Sequence, residues 1–183
     1  DKKEIANTYI IGPDATKVPI YGIAIDEDHI YALSTDYIYK AKKENTNLLD
    51  YNNWQENKIP LETTDNCNTL YKFSNSLFTV KSDSIVYMYN NGWKDFYVAP
   101  SYANISCTDS KLLISTAKNG LISFNQDISE DFRSKEYALN ADYDKYNNNY
   151  WIATGDGGAK KVNAEGSINA YKVSGPARTD AQR

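Results

Sequence analysis

The sequence predicts an all-β chain: a β-propeller of four blade-like repeats, each of four antiparallel strands, forming part of a larger ring. Three observations predict it. Short β-branched and aromatic runs, with 16 tyrosines in 183 residues, are separated by polar turns rich in Asn, Asp and Gly, as expected of strands packing on half-buried pleated surfaces. Four central strands begin at Ile30, Leu77, Leu112 and Tyr150, at intervals of 47, 35 and 38 residues, and propeller blades recur every ~40 residues. Around each centre the order repeats: turn, central strand, Gly- or Asp-containing turn. A single four-stranded sheet cannot cover both its faces, so such sheets stack around an axis. A β-sandwich also has short strands at regular spacing, and the repeated order favours the propeller.

The repeats follow in order. Residues 1–19 hold one apolar core, Tyr9-Ile10-Ile11, closed by Gly12-Pro13, which reads as the outer strand of a preceding blade or as a ring-closing segment. The first blade (about 20–64) has strands over 20–25, 30–34 and 37–40, with an outer strand placed at Ile59-Pro60-Leu61, where an edge tolerates proline. The second (about 65–101) has strands over 69–73, 77–80, 85–89 and 93–98, with Asn90-Asn91-Gly92 as a hairpin signal. The third (about 102–138) has strands over 104–107, 112–116 and 121–124. Its stretch from Gln126 to Glu136 has Ile128 and Phe132 four apart and reads as one helical turn. The fourth (about 139–175) centres on Tyr150-Trp151-Ile152-Ala153-Thr154 and ends with a strand over 167–173. Four blades fall at the low end of the four-to-eight range, so missing blades are expected from flanking chain.

Composition removes several function classes. The net charge is −4 and the pI near 5.0, which argues against nucleic acid, since phosphate binding needs clustered Lys and Arg. The one dense cationic run, Lys40-Ala41-Lys42-Lys43, is followed by Glu44 and reads as a solvated strand end. No apolar run approaches the length of a membrane span. The chain starts at Asp1 without a signal-like segment, which fits a mature secreted form or an excised piece of a longer chain. Cys67 and Cys107 are too few for a disulfide scaffold or structural zinc, and two separate thiols are expected.

No catalytic constellation is legible, and no catalytic, cofactor-binding or metal-binding residue is expected. His29, the only histidine, sits in a polar turn without a nucleophile elbow near any serine, so it reads as a solvated turn residue. Asp142, Asp144 and Asn147-Asn148-Asn149 offer hard oxygen ligands, but without the spacing of a calcium loop; turn formation accounts for them. Gly155-Asp156-Gly157-Gly158 precedes no helix and ends in no Lys-Ser or Lys-Thr, so it reads as a hairpin needing unusual φ. Asp26, Glu27 and Asp28 lie on a turn that could face the axis, with no partner carboxylate in view. The aromatics Tyr21, Tyr31, Tyr37, Tyr39, Tyr71, Tyr87, Tyr89, Tyr97, Tyr150 and Trp151 divide between packing and exposure, and exposed ones can stack on a sugar ring or a protein partner.

The segment Asn148-Asn149-Tyr150-Trp151-Ile152-Ala153-Thr154-Gly155-Asp156-Gly157-Gly158-Ala159 resembles the blade motif of two-component-regulator propellers, with Lys111 to Leu121 a looser match. Asp142 or Asp144 takes the motif's acidic position, and Ala159 replaces its usual Leu. Tyr171-Lys172-Val173-Ser174-Gly175-Pro176 is similar to the inter-blade junction of PorZ-type propeller proteins of type IX secretion in Bacteroidetes. The resemblance implies an extracytoplasmic location, periplasmic or cell surface, and a non-enzymatic role. The expectation is a binding or scaffold module of a bacterial surface or secretion-associated protein, recognising a glycan or protein through loops at one end of the ring. Two alternatives stand beside it: the ligand-sensing ectodomain of a membrane-bound two-component regulator, and a propeller lyase or glycosidase.

Overall fold

The computed structural model describes residues 8–44, 47–60, 67–90, 92–155 and 158–172. They form four separate four-stranded antiparallel sheets, each a meander in which every strand pairs with the next in sequence. The first sheet is β1 (Gly22–Ile25), β2 (His29–Leu33), β3 (Tyr37–Lys42) and β4 (Gln55–Lys58). The second is β5 (Tyr71–Phe73), β6 (Ser76–Lys81), β7 (Ile85–Tyr89) and β8 (Trp93–Val98). The third is β9 (Ala103–Cys107), β10 (Leu112–Thr116), β11 (Gly120–Phe124) and β12 (Glu130–Ser134). The fourth is β13 (Asn140–Asp144), β14 (Asn149–Ala153), β15 (Gly158–Asn163) and β16 (Ile168–Lys172). The predicted all-β, four-bladed architecture stands.

The sheets stack because each is apolar on both faces. Side chains alternate across a strand, so β6 sends Phe78 and Val80 one way and Leu77 the other. Phe78, Val80, Val86 and Met88 meet Ile105, Leu112, Ile114, Ile122 and Phe124 of the third sheet in one buried cluster. Leu77 and Tyr87 meet Tyr31, Leu33 and Ile38 of the first. Leu113 and Leu121 pack on Ala141, Tyr150, Ile152 and Val162 of the fourth. The first strands of successive sheets run side by side, β1 on β5, β5 on β9 and β9 on β13, and so line the inner side of the arc. Gly22 marks one such approach: a Cβ there would lie 2.8 Å from the Leu70 backbone nitrogen.

Three expectations change, and the first segment gains a place. The first outer strand is Gln55–Lys58 rather than Ile59-Pro60-Leu61; Ile59 is instead buried where the chain leaves it, and Leu61 lies outside the described residues. Gln126 to Glu136 holds no helical turn: Ile128 takes φ 66° in a tight turn and Glu130–Ser134 becomes the outer strand, pairing with β11. Phe132 decides this by stacking on Tyr150 across the sheets, 4.3 Å between ring centroids. Residues 8–11 are not a strand of any described sheet; Ile11, with Val18, packs on Ala32, Tyr39 and Trp54 at the outer part of the first sheet's free face. Gly155 and Gly158 do not occupy the positive-φ region, which Gly120 and Gly166 do. Gly155 lets the Tyr137 ring lie close against the backbone: a Cβ would stand 2.3 Å from Tyr137 Cε1 and would turn that exposed ring aside.

Candidate binding site

Antiparallel meanders place their odd-numbered turns at one end. The β1–β2, β3–β4, β9–β10 and β13–β14 connections therefore share an end of the arc, and two open grooves lie there. One, of about 310 Å³, runs between the third and fourth blades and is lined by Thr108, Asp109 and Ser110 from one turn and Tyr143, Asp144, Lys145 and Tyr146 from the other. The second, of about 400 Å³, lies on the first blade among His29, Lys40, Lys42, Glu44, Asn52 and Gln55.

The groove between the blades is held by its turns. Asp144 accepts hydrogen bonds from the backbone N–H of Tyr146 and Asn147 and from Asn147 Nδ2, at 3.0, 3.3 and 2.7 Å. The Asn147 side chain does most to hold its carboxyl below the ordinary value. Tyr143 donates its hydroxyl to Asn148 Oδ1 at 2.9 Å, and Asn148 takes φ 52°, a left-handed conformation that Asn tolerates. The turn thus projects Tyr146, 88% exposed, with the Lys145 ammonium 5.5 Å from its ring centre and 3.4 Å from Asp109 of the facing turn. Beneath, Lys111 pairs with Asp131, donates to Asn125 Oδ1 at 2.7 Å and lies 5.5 Å over the Tyr143 ring. The result is a polar trough with an exposed aromatic ring at its lip.

The acidic turn of the first blade is structural. Asp26 accepts from the backbone N–H of Asp28 (3.0 Å) and His29 (2.7 Å) and from the Tyr31 hydroxyl (2.8 Å). Burial pushes its pKa up, but these hydrogen bonds outweigh it and hold the carboxyl below its ordinary value. His29 is not a freely solvated turn residue: it opens β2, half-buried, its Nδ1 3.5 Å from Asp26 Oδ1. Among the described residues no three His, Cys, Asp or Glu side chains gather where they could hold a metal ion. Cys67 is buried and Cys107 half-buried, and burial pushes the Cys107 thiol up to about 12. Asp156 and Gly157 lie outside the described residues, as does the junction from Val173 onward.

Of the predicted aromatics, Tyr31, Tyr39, Tyr87 and Tyr150 are buried, Tyr37, Tyr71, Tyr89 and Tyr97 are half-buried, and Tyr21 and Trp151 are exposed. Tyr146, the most exposed large apolar side chain among the described residues, was not singled out by the sequence. Its signal was its setting, an aromatic inside the polar turn Asp144-Lys145-Tyr146-Asn147. A narrow slot between the first two blades, lined by Tyr31, Ile38, Lys40, Leu77, Tyr89 and Trp93, has room of about 20 Å³, and the buried Trp93 indole N–H has no hydrogen-bond partner. That is space for a single water.

No family model matches the chain, and no curated protein matches it in sequence. Solved structures do. PorZ, a surface component of the type IX secretion system of Porphyromonas gingivalis, superimposes with TM-score 0.66 at 19% identity, over 96% of this chain and 23% of that one. AztD from Citrobacter koseri gives 0.60 at 9% identity, over 85% of this chain and 47% of AztD. A streptogramin B lyase gives 0.57 at 12%, over 85% of this chain and 55% of the lyase. The chain thus spans about a quarter of PorZ and about half of the other two. Identities this low establish the propeller fold alone, which carries a secretion-system surface component and a lyase among these neighbours.

Proposed function

We propose that the chain is a non-catalytic binding module of an extracytoplasmic bacterial surface or secretion-associated protein, and that it recognises a glycan through the turns at one end of the arc. The observation that carries this reading is the groove between the third and fourth blades. An exposed aromatic face, Tyr146, stands beside Asp109, Ser110 and Lys145. A sugar ring stacks its C–H face on such a ring while its hydroxyls meet carboxylate, hydroxyl and ammonium groups. Of the two carboxylates that line this groove, Asp144 spends its lone pairs on folding its own turn and Asp109 faces solvent. The likeness to PorZ supports the surface location by analogy of fold.

The test is an oligosaccharide array of neutral and acidic glycans, followed by titration of each hit by intrinsic fluorescence. Binding weakened at least ~10-fold by Tyr146→Ala, about 1.4 kcal/mol, with the fold unchanged, supports the reading. An absence of glycan binding, or binding indifferent to Tyr146→Ala and Asp109→Asn, contradicts it. Capture of a defined protein through the same turns would assign the site to a protein partner instead.

A further inference from the structure

The slot between the first two blades gathers hydrogen-bond donors that meet no acceptor. Strand register builds it. In the first sheet Tyr31 pairs with Lys40 and Ile38 with Asn57. Lys40 and Ile38 are two apart on one strand, so all four side chains share a face. In the second sheet Leu77 pairs with Tyr89 and Tyr89 with Trp93, and this face packs on the first. Trp93 stacks on Tyr87 at 5.0 Å and tilts against Tyr89 at 5.2 Å, which holds its indole at the seam.

Three residues of the lining bring N–H donors. The Trp93 indole N–H is buried without a partner. The Lys40 ammonium, on a half-buried side chain, lies 5.6 Å from the Tyr31 ring centre and meets no carboxylate among the described residues. The half-buried Asn57 amide likewise has no acceptor among them. Asp26 touches the lining through the Tyr31 hydroxyl, at 2.8 Å, and its other bonds go to its own turn. A buried donor without an acceptor is costly, and an ammonium withdrawn from water needs a counter-charge.

Size decides what can answer these donors. The slot has room of about 20 Å³, enough for one atom-sized occupant. A carboxylate or phosphate group is too large for it. A water fits, but brings two protons that need acceptors and leaves the ammonium without a counter-charge. We propose that the slot is a halide site, in which one chloride accepts from Trp93 Nε1, Asn57 Nδ2 and Lys40 Nζ and fastens the first blade to the second. Lys40 also lines the open groove of about 400 Å³ on the first blade, which gives the ion a way in from solvent. The site is separate from the groove between the third and fourth blades, and the inference is independent of the glycan reading.

The experiment compares sodium chloride with sodium acetate at equal ionic strength, so that general screening is the same in both. An ion bound by the folded state alone raises its stability with concentration. Chloride is expected to raise Tm above the acetate value, and chlorine NMR is expected to show a saturable excess linewidth that bromide displaces. Trp93→Phe keeps an aromatic ring in the stack and removes the N–H; Lys40→Met keeps the stem and removes the charge. Each is expected to weaken chloride at least ~10-fold, with circular dichroism unchanged. Chloride and acetate acting alike would assign the slot to water or to anions at large and overturns the proposal. So does a saturable chloride signal that survives both substitutions.

Discussion

Tyr150 shows what one side chain does here. It is 2% exposed, stacks on Phe132 at 4.3 Å, tilts against Tyr143 at 5.0 Å and donates its hydroxyl to Ser123 Oγ at 3.3 Å. It thereby joins the third and fourth blades. Tyr150→Ala should cost about 3–5 kcal/mol, the range for a buried aromatic, while Tyr150→Phe should cost about 1 kcal/mol, the worth of one neutral hydrogen bond; urea denaturation separates the two. Burial pushes its phenol up to about 12 from an ordinary 10.0, and burial raises Tyr31, Tyr39 and Tyr71 as well. The fold holds the neutral form, so this stabilisation is full below the unfolded pKa and is lost as pH rises from about 10 to about 12. Cys107, raised from 9.0, begins the decline slightly earlier. Denaturation midpoints measured across this range should fall, and Tyr150→Phe should shallow the fall. At this scale the sequence supplied the aromatics but not their sorting, because exposure depends on which face of which sheet a tyrosine occupies.

Among elements, the inner and central strands were legible, as were the outer strands of the second and fourth blades; the outer strands of the first and third were not. Leu112–Thr116 is buried throughout and its residue types announce a strand. Gln55-Glu56-Asn57-Lys58 and Glu130-Asp131-Phe132-Arg133-Ser134 are mostly polar, because an outermost strand faces solvent along one edge and much of its surface; pairing to β3 and β11 makes them strands. The turns carry sharper constraints. Gly120 has φ 75° and a Cβ there would meet Ser134 O at 1.9 Å. Gly120→Ala therefore combines backbone strain with a clash against the outer strand, and should lower stability by about 2 kcal/mol or more, visible as a lower Tm. The Asp26 turn gives the opposite pH dependence to the tyrosines. Its carboxyl is held below the ordinary 3.8, so its contribution is full above that value and is lost as pH falls through the lowered one. Asp26→Ala should cost about 1–3 kcal/mol at neutral pH and should weaken the acid dependence of unfolding.

At the scale of the molecule, spacing together with the repeated order of turn, central strand and turn foretold four stacked sheets, because a sheet apolar on both faces is covered by a neighbour on each side. The candidate groove was not foretold: Asp109 and Tyr146 are 37 residues apart, and only the meander topology brings their turns to the same end. The stacking order itself is the central claim, and aromatic through-space NMR contacts test it most directly. The account predicts strong ring–ring contacts between Phe96 and Phe124, 4.9 Å apart across the second and third sheets, and between Phe132 and Tyr150 across the third and fourth. Absence of both, with contacts joining the faces of the first and third sheets instead, would mean two clasped layers and would contradict it.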